Sequence, residues 1–136
     1  MSAAKVEIVK RAIDAFNRRD VGVLDDLTTS DFEWFPALPN TLEGEGYRGY
    51  RGREGIEAYF DDIRSTWERL RVLGDEFRNL GDCVLMFGRA EGRGTGSGVP
   101  VDAPFGMVCD FRGGKMSRVR TYFDHSEALR AAGLED

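Results

Sequence analysis

The chain has 136 residues, 41% of them hydrophobic and 11% aromatic, which suits one packed domain over residues 1–136 and argues against disorder. Its formal net charge of −5 argues against nucleic acid and against an anionic membrane as partners, because both need a basic surplus to neutralise phosphate. The opening segment MSAAKVEIVKRAID is charged throughout, unlike a signal peptide, and no apolar run approaches the ~20 residues that span a bilayer, so the expected setting is a reducing cytoplasm.

Ser2 is placed to cap a first helix in which Val6, Val9, Ile13 and Phe16 recur at helical spacing while Lys5, Lys10, Arg11 and Asp14 fall elsewhere. That helix is expected to end near Arg19, and Asp20 to cap a short second one carrying Val23, Leu24 and Leu27. In DFEWFP, Phe32 and Trp34 alternate with Asp31, Glu33 and Phe35 as in a short strand, which Pro36 ends because it has no N–H for a ladder. Residues 36–52 are punctuated by Gly and Pro. A loop of this length often covers a site; the alternative is a plain connection, in which Tyr47 and Tyr50 pack rather than bind a ligand. The next segment, REGIEAYFDDIRSTWERL, predicts a long helix burying Ile56, Tyr59, Phe60, Ile63 and Trp67.

From Arg71 the period changes to two, predicting strands over 71–79, 82–93, 100–112 and 115–124. Asn79-Leu-Gly-Asp and Arg112-Gly-Gly-Lys read as hairpin turns, and Gly92–Pro100 as a longer hairpin end. Asp124 and Glu127 have capping-box spacing before a last short helix with Ala128 and Leu129. Helices first and a strand meander last predict an α+β fold, a curved and mostly antiparallel sheet on N-terminal helices, rather than a parallel α/β sheet. Cys83 and Cys109 match no metal-ligand spacing and sit in apolar runs, so they read as buried free thiols rather than a disulfide. With one histidine and no phosphate loop, nucleophile elbow or zinc motif, no metal and no cofactor are expected.

The order of elements, together with YRGREGIEAYF, MVCDFRGGKMSRVRTYFD and HSEALRAAGL, resembles the nuclear transport factor 2-like superfamily in its SnoaL-like branch, over nearly the whole chain. The resemblance implies a cone-shaped α+β barrel whose sheet curls around the helices and leaves an apolar cavity at the wide end. It also implies a homodimer. A mixed outward face of Met86, Val108, Arg120 and Tyr122 points the same way. Relatives of this kind include ketosteroid isomerases, limonene epoxide hydrolases and polyketide cyclases, so function has to be argued from the site.

Strand alternation supplies a candidate lining. Val119, Thr121 and Phe123 are expected to face inward, as are Ala103, Phe105, Met107 and Cys109, with Leu85, Phe87, Arg89 and Glu91 sharing a face of the second meander strand. Trp34, Tyr59, Phe87, Phe105, Met107 and Phe123 form the expected ligand-binding wall, although the same residues also make an ordinary core. Matched to the isomerase pattern, the base position falls at Trp34 or Phe35, the acidic donor at Met107 and the tyrosine donor near Ala12, which excludes that machinery. Matched to the epoxide hydrolase pattern, Arg89 and Glu91 take the first Arg and acid positions, and Thr121 stands where the second acid would be. The candidate catalytic set is therefore Arg89, Glu91, Thr121 and His125, the last as a general base or else an exposed residue in the first turn of the last helix. Two readings stay open: a cofactor-independent isomerase, cyclase or hydrolase acting on a small apolar organic ligand, and a non-catalytic binding or dimerisation module.

Overall fold

The computed structural model describes residues 2–35, 50–94 and 100–133. Most of the expected loop, including Tyr47, and the tip of the Gly-rich hairpin at 95–99 lie outside the described residues. Helix α1 (Ser2–Arg18) buries Val9, Ala12, Ala15 and Phe16 along one stripe. It ends with Arg19 in the left-handed region at φ 57, where the Arg19 N–H reaches the Phe16 carbonyl at 3.0 Å and the Asp20 N–H the Ala15 carbonyl at 2.8 Å. Glycine is usual at such a helix end, and a side chain there costs about 1 kcal/mol. The Arg19 side chain offsets this: its two terminal nitrogens donate to the Phe16 and Leu70 carbonyls, each at 2.6 Å, and its guanidinium lies over the Phe16 and Phe60 rings. Helix α2 (Val21–Leu27) is capped by Asp20, whose Oδ1 accepts from the Val23 N–H at 3.1 Å.

Strand β1 (Thr28–Phe35) begins earlier than its hydrophobic alternation predicts, and a short β2 (Tyr50–Arg51) pairs with it antiparallel. Helix α3 (Gly52–Thr66) buries Ile56, Phe60 and Ile63. It stops short of the predicted end, because Trp67 and Glu68 pair with Gly94 and Arg93 of the neighbouring strand and so belong to β3 (Trp67–Asn79). The meander continues as β4 (Cys83–Gly94), β5 (Pro100–Arg112) and β6 (Lys115–Tyr122), and closes with α4 (His125–Ala131). Asp124 caps α4, accepting from the Ser126 N–H at 2.7 Å. Gly113 and Gly114, at φ 60 and φ 82, supply the positive pair that a tight β5–β6 hairpin needs.

The sheet has six strands in the order β2-β1-β6-β5-β4-β3, antiparallel except for the β1–β6 pair, and its edge strands do not meet, so it stays open. Register shifts within the β3–β4 and β5–β6 pairs bend it. The inner face, toward α1 and α3, is built in rungs. One runs Trp34, Val119, Cys109, Val84; the next Thr121, Met107, Met86, Phe77; the next Phe105, Gly88, Gly74; and then Ala103, Ala90, Val72. The outer face carries a second apolar patch of Leu85, Phe87 and Val108, covered by Ala128 of α4.

This register corrects two expectations. Leu85, Phe87, Arg89 and Glu91 do share a face, but it is the outer one, opposite α1 and α3. Met86, expected on the outside, is 0% exposed and packs in the inner core. The run Val84-Leu85-Met86-Phe87 is apolar at every position because both faces of β4 are covered, so its alternation carried no polarity to read.

Candidate functional site

The richest concentration of rings lies where α1, α3 and β1 meet. Trp34 and Tyr59 sit edge to face with centroids 4.5 Å apart, Phe16 lies 5.5 Å from Trp34, and Tyr50 lies 5.0 Å from Tyr59. The Tyr50 hydroxyl donates to the Asp62 carboxylate, which ties β2 to α3. Phe16 is the hub of this group, also 5.8 Å from Phe60. It was visible in sequence only as one more apolar residue in the α1 stripe. Two rungs along the sheet from Trp34, half-buried Phe105 meets Phe123 at 6.2 Å, and Phe123 is 42% exposed at the end of β6. Met107 is buried between these groups, and its neighbour Thr121 is 7% exposed. The Thr121 hydroxyl donates to the Phe35 carbonyl at 2.9 Å, which joins β6 to the end of β1. Five of the six expected wall residues, Trp34, Tyr59, Phe105, Met107 and Phe123, are therefore on the helix-facing side. Phe87 is not; it belongs to the α4 patch.

The expected catalytic set is not brought together. Arg89 and Glu91 lie on the outer face and Thr121 on the inner one. Arg89 grips Asp102 with a two-pronged contact, Nε to Oδ1 at 3.0 Å and Nη2 to Oδ2, with both side chains about half in solvent at 51% and 50% exposure. Those hydrogen bonds, then the charge of Asp102, hold the guanidinium proton more firmly than usual. Glu91 is half-buried, opposite Arg71 on β3 and Asp102 on β5. His125 opens α4, its Nε2 3.1 Å from the Gly88 carbonyl and its ring 4.7 Å from Phe87. It thus stands over the outer face rather than at the inner one. Burial raises the pKa of both thiols, strongly for Cys109 in the core and less for half-buried Cys83, so neither is a ready thiolate.

A separate cleft of about 500 Å³ opens between the α1–α2 turn and α3, lined by Arg19, Val21, Glu57, Phe60, Asp61 and Arg64. Among the described residues, no group of three or more His, Cys, Asp or Glu side chains is placed to hold a metal ion, and no helix is long and apolar enough to cross a membrane.

No curated protein is similar enough in sequence to count as a relative. Solved structures with the same fold are numerous. An NTF2-like protein from Burkholderia xenovorans LB400 is 26% identical, with 96% of this chain and 97% of that one covered at a TM-score of 0.72. A protein from Catenulispora acidiphila with a ketosteroid isomerase-like fold, solved in complex with trimethylamine, is 21% identical over 94% of this chain and 93% of its own, at a TM-score of 0.72. TerC, co-crystallised with polyporic acid, is 23% identical over 96% and 97% of the two chains, at a TM-score of 0.75. The last two likenesses speak to the fold alone. Residues 9–119 match the SnoaL-like domain, and the chain belongs to that family, within the NTF2-like superfamily.

Proposed function

We propose that this chain, as one domain, binds a small apolar organic molecule at the mouth between the inner sheet face and helices α1 and α3. The observation that carries this is the chemistry of the inner face. Its rungs present Trp34, Met107, Phe105 and Phe77, with Tyr59 and Phe16 opposite, and none of them carries a carboxylate or an imidazole. Thr121 is the one buried polar side chain on them, and its hydroxyl is already engaged with a backbone carbonyl. A wall of this kind gains affinity by taking apolar surface out of water. Two proteins of the same fold were solved with small organic molecules, which supports the reading. Isomerisation, cyclisation or hydrolysis needs a proton donor or base at the ligand, and the described inner rungs supply neither. Binding is therefore favoured over turnover.

The test is a titration of the purified chain with a panel of apolar cyclic ketones and aromatic polyketide-like compounds, followed by indole fluorescence and calorimetry. A saturable one-to-one ligand is expected, weakened ~10-fold or more in Phe105→Ala, since truncating a buried aromatic contact is worth at least ~1.4 kcal/mol. Absence of any ligand across the panel, or full affinity in both Phe105→Ala and Trp34→Phe, refutes the reading. If turnover of any panel compound appears and Glu91→Gln lowers it by ~10²–10⁴-fold, the outer-face pair is catalytic after all.

We further propose a homodimer through the outer sheet face beyond α4. Arg120 and Tyr122 are half-buried there, and Arg120 Nε is buried with no hydrogen-bond partner among the described residues. Tyr and Arg are among the residues enriched at protein–protein interfaces. Light scattering should return twice the 15.2 kDa chain mass; a monomer at micromolar concentration refutes this.

A further inference from the structure

Arg19 is an unusual residue to find at a left-handed helix end, and its side chain has more capacity than its contacts use. A guanidinium carries five N–H donors. Two are committed to the Phe16 and Leu70 carbonyls, which leaves three. Among the described residues no carboxylate pairs with it. The acidic residues that share its cleft are engaged elsewhere: Glu57 lies 3.6 Å from Arg53, and Asp61 pairs with Arg64. Burial lowers the Arg19 pKa below its ordinary value, with Tyr59 acting the other way, as expected of a cation whose charge is not neutralised. The guanidinium is also held rigid by two carbonyls and two aromatic rings, so a ligand would lose little side-chain freedom in meeting it.

We propose that the cleft between the α1–α2 turn and α3 binds a small organic carboxylate with an apolar body, its carboxylate on the Arg19 guanidinium and its body against Phe60 and Val21. The planar fork of arginine matches the two oxygens of a carboxylate, and with Glu57 beside Arg53 and Asp61 paired to Arg64, Arg19 is the uncompensated charge of the cleft among the described residues. The cleft opens on a different face of α3 from Tyr59, and its Phe60 backs onto Phe16 and Trp34 of the inner-face group.

The experiment is a titration of the full-length, isotope-labelled chain with sodium benzoate, read by amide chemical shifts, with neutral benzamide as the control. Benzoate should give saturable shifts at Arg19, Val21 and Phe60 with a Kd of ~1–10 mM, and benzamide should bind at least ~10-fold more weakly. Arg19→Lys, which keeps the charge and loses the fork, should weaken benzoate several-fold. Arg64→Glu, which breaks the exposed pair with Asp61 and puts a negative charge at the rim, should weaken it ~3-fold while the melting curve moves only slightly, as loss of a surface ion pair costs the fold little. Equal binding of benzamide, shifts that do not saturate by ~50 mM, or benzoate affinity unaffected by Arg64→Glu overturns the proposal even if Arg19→Lys fails to fold. Shifts confined to Trp34, Tyr59 and Phe105 also overturn it, and would support the inner-face site instead.

Discussion

Asn17, half-buried near the end of α1, serves as a strand partner for the edge of the sheet. Its Nδ2 donates to the Val72 carbonyl at 2.9 Å and its Oδ1 accepts from the Val72 N–H at 2.8 Å. β3 is an outermost strand, and these two bonds satisfy the outward-facing N–H and C=O of Val72, which no neighbouring strand reaches. Asn17→Ala removes both. At a net ~1 kcal/mol for each neutral hydrogen bond the loss is about 2 kcal/mol, and partial access of water to the freed groups keeps it from rising further. With a urea slope of ~2 kcal/mol/M, the unfolding midpoint should fall by about 1 M at unchanged slope. The melting temperature should fall by ~8 °C. Asn17→Asp keeps the acceptor for the Val72 N–H but turns a carboxylate oxygen toward the Val72 carbonyl. It should therefore cost at least as much as Ala at neutral pH. It should recover below pH ~4, where the protonated acid can donate. A midpoint shift under ~0.2 M for Asn17→Ala, or an Asp variant as stable as wild type at pH 7, would refute the account of the α1–β3 clasp.

Two further outcomes are expected. A Cβ added at Gly106 would sit 2.7 Å from the Ala128 Cβ, so Gly106→Val should lift α4 from the outer face and uncover Leu85, Phe87 and Val108 at a cost of ~1–3 kcal/mol; unchanged amide exchange over 125–131 would contradict this. Asp31 accepts from the Thr29 hydroxyl at 2.8 Å and from Arg112, and these contacts, Thr29 first, lower its pKa. A lowered folded-state pKa stabilises above the ordinary carboxylate range and is lost as pH falls through the folded value. The urea midpoints of wild type and Asp31→Asn should therefore differ at pH 7 and draw together as pH falls below the ordinary carboxylate range; a gap that widens in acid would reverse the sign of the argument.

How much of the molecule the chain declares on its own can be followed element by element. The stripe Val6, Val9, Ile13, Phe16 predicts α1, Asp20 and Asp124 mark their helices by cap chemistry, and Gly113-Gly114 announces the β5–β6 turn, because each rests on local backbone and side-chain preferences. The switch to a two-residue period after α3 is enough to reach the α+β class, and the order of elements together with YRGREGIEAYF, the strands around the Gly-Gly turn and HSEALRAAGL points to the family. Three things were not local. The end of α3 depended on Trp67 and Glu68 finding partners on β4, a pairing that overrides helical periodicity. The parallel β1–β6 pair depended on where the two ends of the chain meet.

The direction in which Phe87, Arg89 and Glu91 point was decided by two layers of helix at once. Alternation reports which residues share a face, and on β6 Arg118 and Arg120 on either side of Val119 also said which face is inside. On β4, Val84 to Phe87 are all buried, because α1 and α3 cover one side and α4 the other, so the pattern is symmetric and the choice between faces belongs to tertiary packing. Arg89 and Glu91 follow that choice to the outer surface, while Thr121, two strands away, stays inside.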